Sequence, residues 1–121
     1  MILVDTSVWI DHFRRDKPEL RSVLEADQVL MHPFIVGELA CGTLRRRPQI
    51  LADLDALPAA VVAQHHEVLQ FVERHRLWGK GIGWIDCHLL ASSILSGCKL
   101  WTLDEALERV AAQLRLKPRS V

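Results

Sequence analysis

The chain opens with Met1-Ile-Leu-Val4, apolar at every position and closed by Asp5. A run without alternation suits a strand covered on both faces, as in a parallel sheet. Asp5-Thr6-Ser7 then offers N-cap chemistry for a helix carrying Val8, Trp9, Ile10 and Phe13. Pro18 and Glu19 begin a second helix through Leu20, Val23 and Leu24, and Val29-Leu30-Met31 reads as the next strand. Pro33 opens a helix predicted through Ile35, Val36, Leu39, Ala40 and Leu44, and Pro48 opens another that Pro58 stops. Residues 60–63, Ala-Val-Val-Ala, are a third strand candidate, followed from His65 by a helical period through Val68, Phe71 and Val72. Gly79, Gly81 and Gly83 interrupt the chain before a helix expected from about Ile85 to Leu95, ending at Gly97. Lys99 to Leu103 reads as a fourth strand that delivers Asp104 to a last helix through Leu107, Val110 and Leu114. Short strands alternating with helices predict an α/β fold with a mainly parallel sheet.

Nothing in this pattern marks a repeat, a low-complexity tract or a linker, so residues 1–121 are expected to form a single domain. Half of the residues are hydrophobic and 25% are charged, the balance of a globular protein. The 15 basic and 15 acidic side chains cancel, which removes a strongly basic chain as an argument for nucleic acid while leaving room for a local basic patch. No apolar run approaches the roughly 18 residues of a membrane span, and the apolar start meets Asp5 before a signal-peptide core can form. Cys41, Cys87 and Cys98 are odd in number and lack close pairs, so neither a disulfide framework nor a zinc ribbon is expected. A reduced, cytoplasmic protein without membrane attachment is the resulting expectation.

Four carboxylates carry the chemistry. Asp5 and Asp104 each follow a strand and precede a helix, and the carboxyl ends of strands are where open α/β sheets bind ligands. Asp86 lies in the first turn of the helix after the glycines, and Glu38 lies within a helix between Gly37 and Leu39. Each has an ordinary explanation: an N-cap for Asp5 or Asp104, a complement to the helix dipole for Asp86, a core-edge position for Glu38. Together they can meet at one rim of a parallel sheet. Two carboxylates about 4 Å apart repel by about 4 kcal/mol at an effective dielectric near 20, and no lysine or arginine adjoins these acids in sequence. Such a group would protonate, splay or hold cations; hard oxygen donors favour Mg²⁺ or Mn²⁺. That combination suits phosphodiester hydrolysis.

The stretches Val4-Asp5-Thr6-Ser7-Val8-Trp9-Ile10, Gly37-Glu38-Leu39, Ile85-Asp86 before an Ala/Leu-rich helix, and Leu100-Trp101-Thr102-Leu103-Asp104 resemble the PIN-domain family, and within it the VapC toxins of bacterial type II toxin–antitoxin pairs. The resemblance covers essentially the whole chain. It implies a three-layer α/β/α PIN-like domain whose central, mainly parallel sheet has four or five strands. It implies a Mg²⁺- or Mn²⁺-dependent ribonuclease acting on RNA such as tRNA or ribosomal RNA. On the matching positions, Asp5, Glu38, Asp86 and Asp104 become the catalytic acids and metal ligands. Thr6 and Ser7 occupy the family's hydroxyl positions, and Thr102 is expected on the same side of its strand as Asp104, supporting the acids. A cognate VapB-type antitoxin lying in an exposed groove, with Trp9 and Phe13 as candidates, and a homodimer are further implications. Many family members carry another acid or Asn two residues beyond the fourth Asp, followed by an aromatic; here Ala106 and Leu107 stand there.

Basic clusters divide between solvated helix ends and RNA phosphate contacts. Arg14, Arg15 and Lys80 are the substrate-binding candidates, whereas Arg45, Arg46 and Arg47 lie where cations also favour a helix C-terminus. Trp78 and Trp84 flank the glycine loop, as core residues or as stacking surfaces for an unpaired base. The loop lacks the spacing of a nucleotide-binding motif, and no Gly-x-Ser-x-Gly element supports a serine hydrolase. The alternative to a nuclease is a PIN-like module that binds RNA or protein without cutting.

Overall fold

The computed structural model describes residues 1–119. Strand β1 (Ile2–Val4) runs parallel to β2 (Val29–Leu30) on one side and to β3 (Lys99–Trp101) on the other. The register sets Leu3 against Leu30 and Leu100, and Val4 against Trp101. Leu3 and Val4 are fully buried, in keeping with a strand that is apolar at every position.

Between β1 and β2 lie α1 (Thr6–Arg15) and α2 (Pro18–Glu25); between β2 and β3 lie α3 (Pro33–Ala40), α4 (Arg47–Asp55), α5 (His65–His75) and α6 (Trp84–Ser96). Helix α7 (Glu105–Gln113) follows β3, after which the chain returns so that the Leu100 N–H donates to the Leu116 carbonyl at 2.8 Å. Proline sits in the first turn of α2, α3 and α4, where its missing N–H is harmless. Gly97 ends α6 in the left-handed region at φ 62°. Leu20, Ile35, Leu89, Leu90 and Leu107 are completely buried around the sheet, each contributing about 1.5–3 kcal/mol by leaving water.

Two expected elements differ. The sheet has three strands among the described residues where four or five are expected; the chain just before 60–63 meets it through one parallel bridge between Met31 and Ala59, with the Ala60 N–H donating to the Met31 carbonyl at 2.8 Å. Beyond that bridge the chain turns out: Val61 and Val62 are about half exposed, and the Val61 N–H is taken by the Ser96 hydroxyl at 2.8 Å. Helix α3 stops at Ala40, short of Leu44, where Cys41-Gly42 leads into a turn. The Arg47 guanidinium holds that turn by donating to the carbonyls of Ala40 and Gly42.

Candidate active site

The β1–β3 register places the start of α1 level with the residues after β3, and the Asp5 N–H donates to the Trp101 carbonyl at 2.9 Å. Because β2 and β3 flank β1 on opposite sides, the carboxyl ends of β1 and β3 meet where the sheet's connections reverse direction, the usual position of a ligand crevice.

Asp5 is buried, and its carboxylate does not cap α1. Its Oδ2 instead accepts from the Ser7 hydroxyl at 2.8 Å and from the Thr102 hydroxyl at 2.7 Å. Each hydroxyl is aimed in turn by a backbone donor: the Leu103 N–H reaches Ser7 Oγ at 3.0 Å, and the Asp104 N–H reaches Thr102 Oγ1 at 3.1 Å. With their lone pairs so engaged, both hydroxyls can give their protons to Asp5. Two backbone groups after β3 therefore orient the acid after β1.

The remaining acids are held in different ways. Asp104 does cap its helix, accepting from the Leu107 N–H through Oδ1 at 2.9 Å, and is otherwise exposed. Glu38, exposed on α3, is tied to α1 through the Thr6 hydroxyl, which donates to Oε1 at 2.7 Å. Asp86 accepts from the Gly83 N–H through Oδ2 at 3.0 Å, the bond of a helix start. Burial pushes the Asp86 carboxyl above its ordinary value; the Gly83 N–H opposes this, and the negative charges of Asp5, Asp104 and Glu38 push it further up. Asp5, Asp104 and Glu38 thus lie near enough to Asp86 for their charges to act on it.

Among the described residues, no ion pair within 4 Å involves any of the four acids. Nor do three acidic, imidazole or thiol groups converge closely enough there to make a ready-formed cation cage. The donor chemistry nevertheless fits a hard divalent cation: all-oxygen, uncompensated, with one Asp5 oxygen already occupied by hydroxyls and the other left to a ligand.

Thr6, Ser7 and Thr102 thus all touch an acid. Thr102 lies just beyond β3, and its link to Asp104 runs through that residue's backbone N–H rather than through strand alternation. Of the basic candidates, Arg15 is turned to Asp11 at 3.1 Å, whereas Arg14 and Phe13 line a groove of about 690 Å³ that Glu38 also lines. Trp9 corrects an expectation: only 3% exposed, it packs against Phe13 inside the molecule and offers no surface to a partner. Ile10, one position on and 39% exposed, lines the groove instead. The helical period alone shows one face of α1 as apolar; it does not say where that face ends.

The glycine loop reaches the same rim. Gly81 has φ 78°, and a Cβ there would lie 3.4 Å from Cβ of Ala106, two residues beyond Asp104. Lys80 is exposed on this loop and joins no ion pair among the described residues. Trp78 is exposed, and Trp84 packs between the imidazoles of His65 and His88, at 5.0 and 4.9 Å between ring centres, with more than a third of its surface open. The Gly81–Ala106 contact leaves no signal in the sequence, since small residues 25 positions apart advertise nothing.

Residues 2–113 match the family described as PIN domain. The chain is 43% identical over 114 residues to the protein named Ribonuclease VapC32 of Mycobacterium tuberculosis, strain CDC 1551/Oshkosh, covering 93% of this chain and 92% of the relative. The protein of the same name from strain ATCC 25618/H37Rv matches equally, at 43% identity with the same coverage.

Proposed function

The chain belongs to the PIN-domain family, and from that premise we propose that it is a metal-dependent endoribonuclease toxin hydrolysing RNA phosphodiester bonds. What supports this reading is that Asp86, its carboxyl raised by burial, also feels the charges of Asp5, Asp104 and Glu38, while none of the four acids joins an ion pair among the described residues. Asp5, Glu38, Asp86 and Asp104 are the residues that would hold a divalent cation, Mg²⁺ or Mn²⁺. When bound, such a cation supplies Lewis-acid polarisation and offsets the charge of the acids and of the RNA phosphate.

The chain's own residues prepare the site. Ser7 and Thr102 restrain Asp5 in one rotamer, Thr6 restrains Glu38, and the Gly83 N–H restrains Asp86, so the acids meet a substrate phosphate with little reorganisation. Among the candidate phosphate contacts, Arg14 and Lys80 join no ion pair among the described residues, and Arg15 is held by Asp11.

Relatives bearing a ribonuclease VapC name support an RNA substrate, with tRNA and ribosomal RNA as classes to test, and a VapB-type antitoxin as partner. Phe13 stays exposed for such a contact. A homodimer, a cytoplasmic location and one domain over residues 1–121 belong to the same proposal; no described helix is long and apolar enough to cross a membrane. The bridge at Met31 and Ala59 supports reading residues 59–60 as the stub of a fourth strand in an α/β/α arrangement.

The test is cleavage of RNA by the purified chain with Mg²⁺ or Mn²⁺, abolished by EDTA and by Asp5→Asn. Undiminished cleavage by the Asp5→Asn/Asp86→Asn double variant would reject the assignment of the site. Tight RNA binding with no cleavage under any divalent cation would favour a non-catalytic module.

A further inference from the structure

The three arginines that follow α3 do not share one task. Arg47 is occupied, its guanidinium donating to the carbonyls of Ala40 and Gly42 and so fixing the turn between α3 and α4. Arg45 and Arg46 take no part in any ion pair among the described residues, and both are exposed. They line the groove of about 690 Å³ already met at α1, together with Arg14, and Glu38 lines it too. Three guanidinium groups that join no ion pair among the described residues thus share a single depression with Glu38, with Ile10 and Phe13 exposed along it.

We propose that this groove is the path by which single-stranded RNA reaches the acids, with Arg14, Arg45 and Arg46 holding successive phosphates and Phe13 presenting its ring to a base. The proposal rests on the ribonuclease reading and names how that site takes its substrate. Charge decides the occupant. Uncompensated guanidinium groups that make no internal bond are forks for phosphate oxygens, and a rigid turn holds two of them in place. An exposed aromatic ring lining the same groove as the cations suits unpaired nucleotides, whose bases have faces to stack and whose backbone carries the charge. Continuity with Glu38 gives the path its direction, because a strand laid along the groove arrives at a catalytic acid.

The experiment uses the full chain in EDTA, where no cleavage occurs, and a fluorescent 2′-O-methyl RNA strand as the probe. Affinity is measured against NaCl concentration for the wild type, for the Arg45→Gln/Arg46→Gln double variant, and for Arg74→Gln, whose side chain lines the separate cavity between α5 and α6. Each single-strand phosphate contact contributes about 0.7 to the slope of log affinity against log salt. The double variant is therefore expected to lose roughly 1.4 from that slope and to bind more weakly at low salt, with Arg74→Gln unchanged. An unaltered slope in a folded double variant overturns the path and leaves the groove to a protein segment. If that result accompanies normal RNA cleavage with Mg²⁺ by the wild type, only the path has failed; absence of cleavage under Mg²⁺ or Mn²⁺ removes the ribonuclease reading and the path together.

Discussion

Thr102 donates its hydroxyl to Asp5 at 2.7 Å across 97 positions of sequence, and the same oxygen accepts the Asp104 N–H at 3.1 Å. One buried hydroxyl therefore ties the acid after β1 to the backbone of the acid after β3. Ser7 repeats the device from α1, joining the Leu103 N–H to the same Asp5 oxygen.

Thr102→Val keeps the shape and removes both bonds. Leaving a buried Asp5 lone pair without its Thr102 donor is expected to cost about 1–3 kcal/mol of stability. A support of this kind typically changes metal affinity by about 10- to 100-fold, so half-maximal cleavage should demand correspondingly more Mg²⁺ or Mn²⁺. Thermal melting and a metal titration of cleavage check the two effects separately.

The bond from Thr6 to Glu38 is exposed and contributes little to folding. Thr6→Val should shift unfolding by less than about 1 kcal/mol while reducing cleavage, because Glu38 is released to other rotamers. Thr6→Ser restores the hydroxyl and should recover most of the rate. An unimpaired Thr6→Val enzyme would remove Thr6 from the supporting set.

Gly81 has a left-handed backbone, and a Cβ there would come into van der Waals contact with Ala106. Gly81→Ala is expected to destabilise the fold by about 1–2 kcal/mol, since φ 78° strains any residue with a Cβ. Ala106→Asp, which adds an acid two residues beyond Asp104, should alter the metal concentration needed for cleavage if this position faces the acids. Urea unfolding measures the first change, and a metal titration of cleavage the second.

His32 supplies the pH dependence. It is fully buried, its Nδ1 accepts the Phe34 N–H at 3.0 Å, and burial, assisted by His88, lowers its pKa to about 4. The folded value lies below the unfolded value near 6.5, so the unfolded chain binds the proton more readily. Stability from this group is complete above about pH 6.5 and is lost as pH falls toward 4, by about 3 kcal/mol in all. His32→Asn can still cap α3 but does not titrate in this range, and its unfolding free energy should show a correspondingly shallower decline over the same interval.

Much of the molecule was legible in one dimension because the signals are local. Continuous apolar runs, proline at helix starts and Gly97 at a helix end act within a few residues, and β1, β3, α1 and α6 appear nearly where such signals put them. The types and order of the four acids are local facts as well. Contacts over distance are not. Asp5 had an equal claim to be an N-cap, and only the β1–β3 register, which brings Thr102 beside it, turns its carboxylate away from α1. The period of α1 marked Trp9 and Phe13 alike as apolar, yet the docking of α1 buries the one and leaves the other 37% exposed at a groove. Val61 and Val62 have strand-forming side chains, but a strand needs a neighbour along its length, and past Ala60 none pairs with them among the described residues. Composition and spacing thus determined which groups exist and which elements carry them. Partners, burial and free faces were decided by tertiary packing, because each depends on surfaces contributed by segments far apart in the chain.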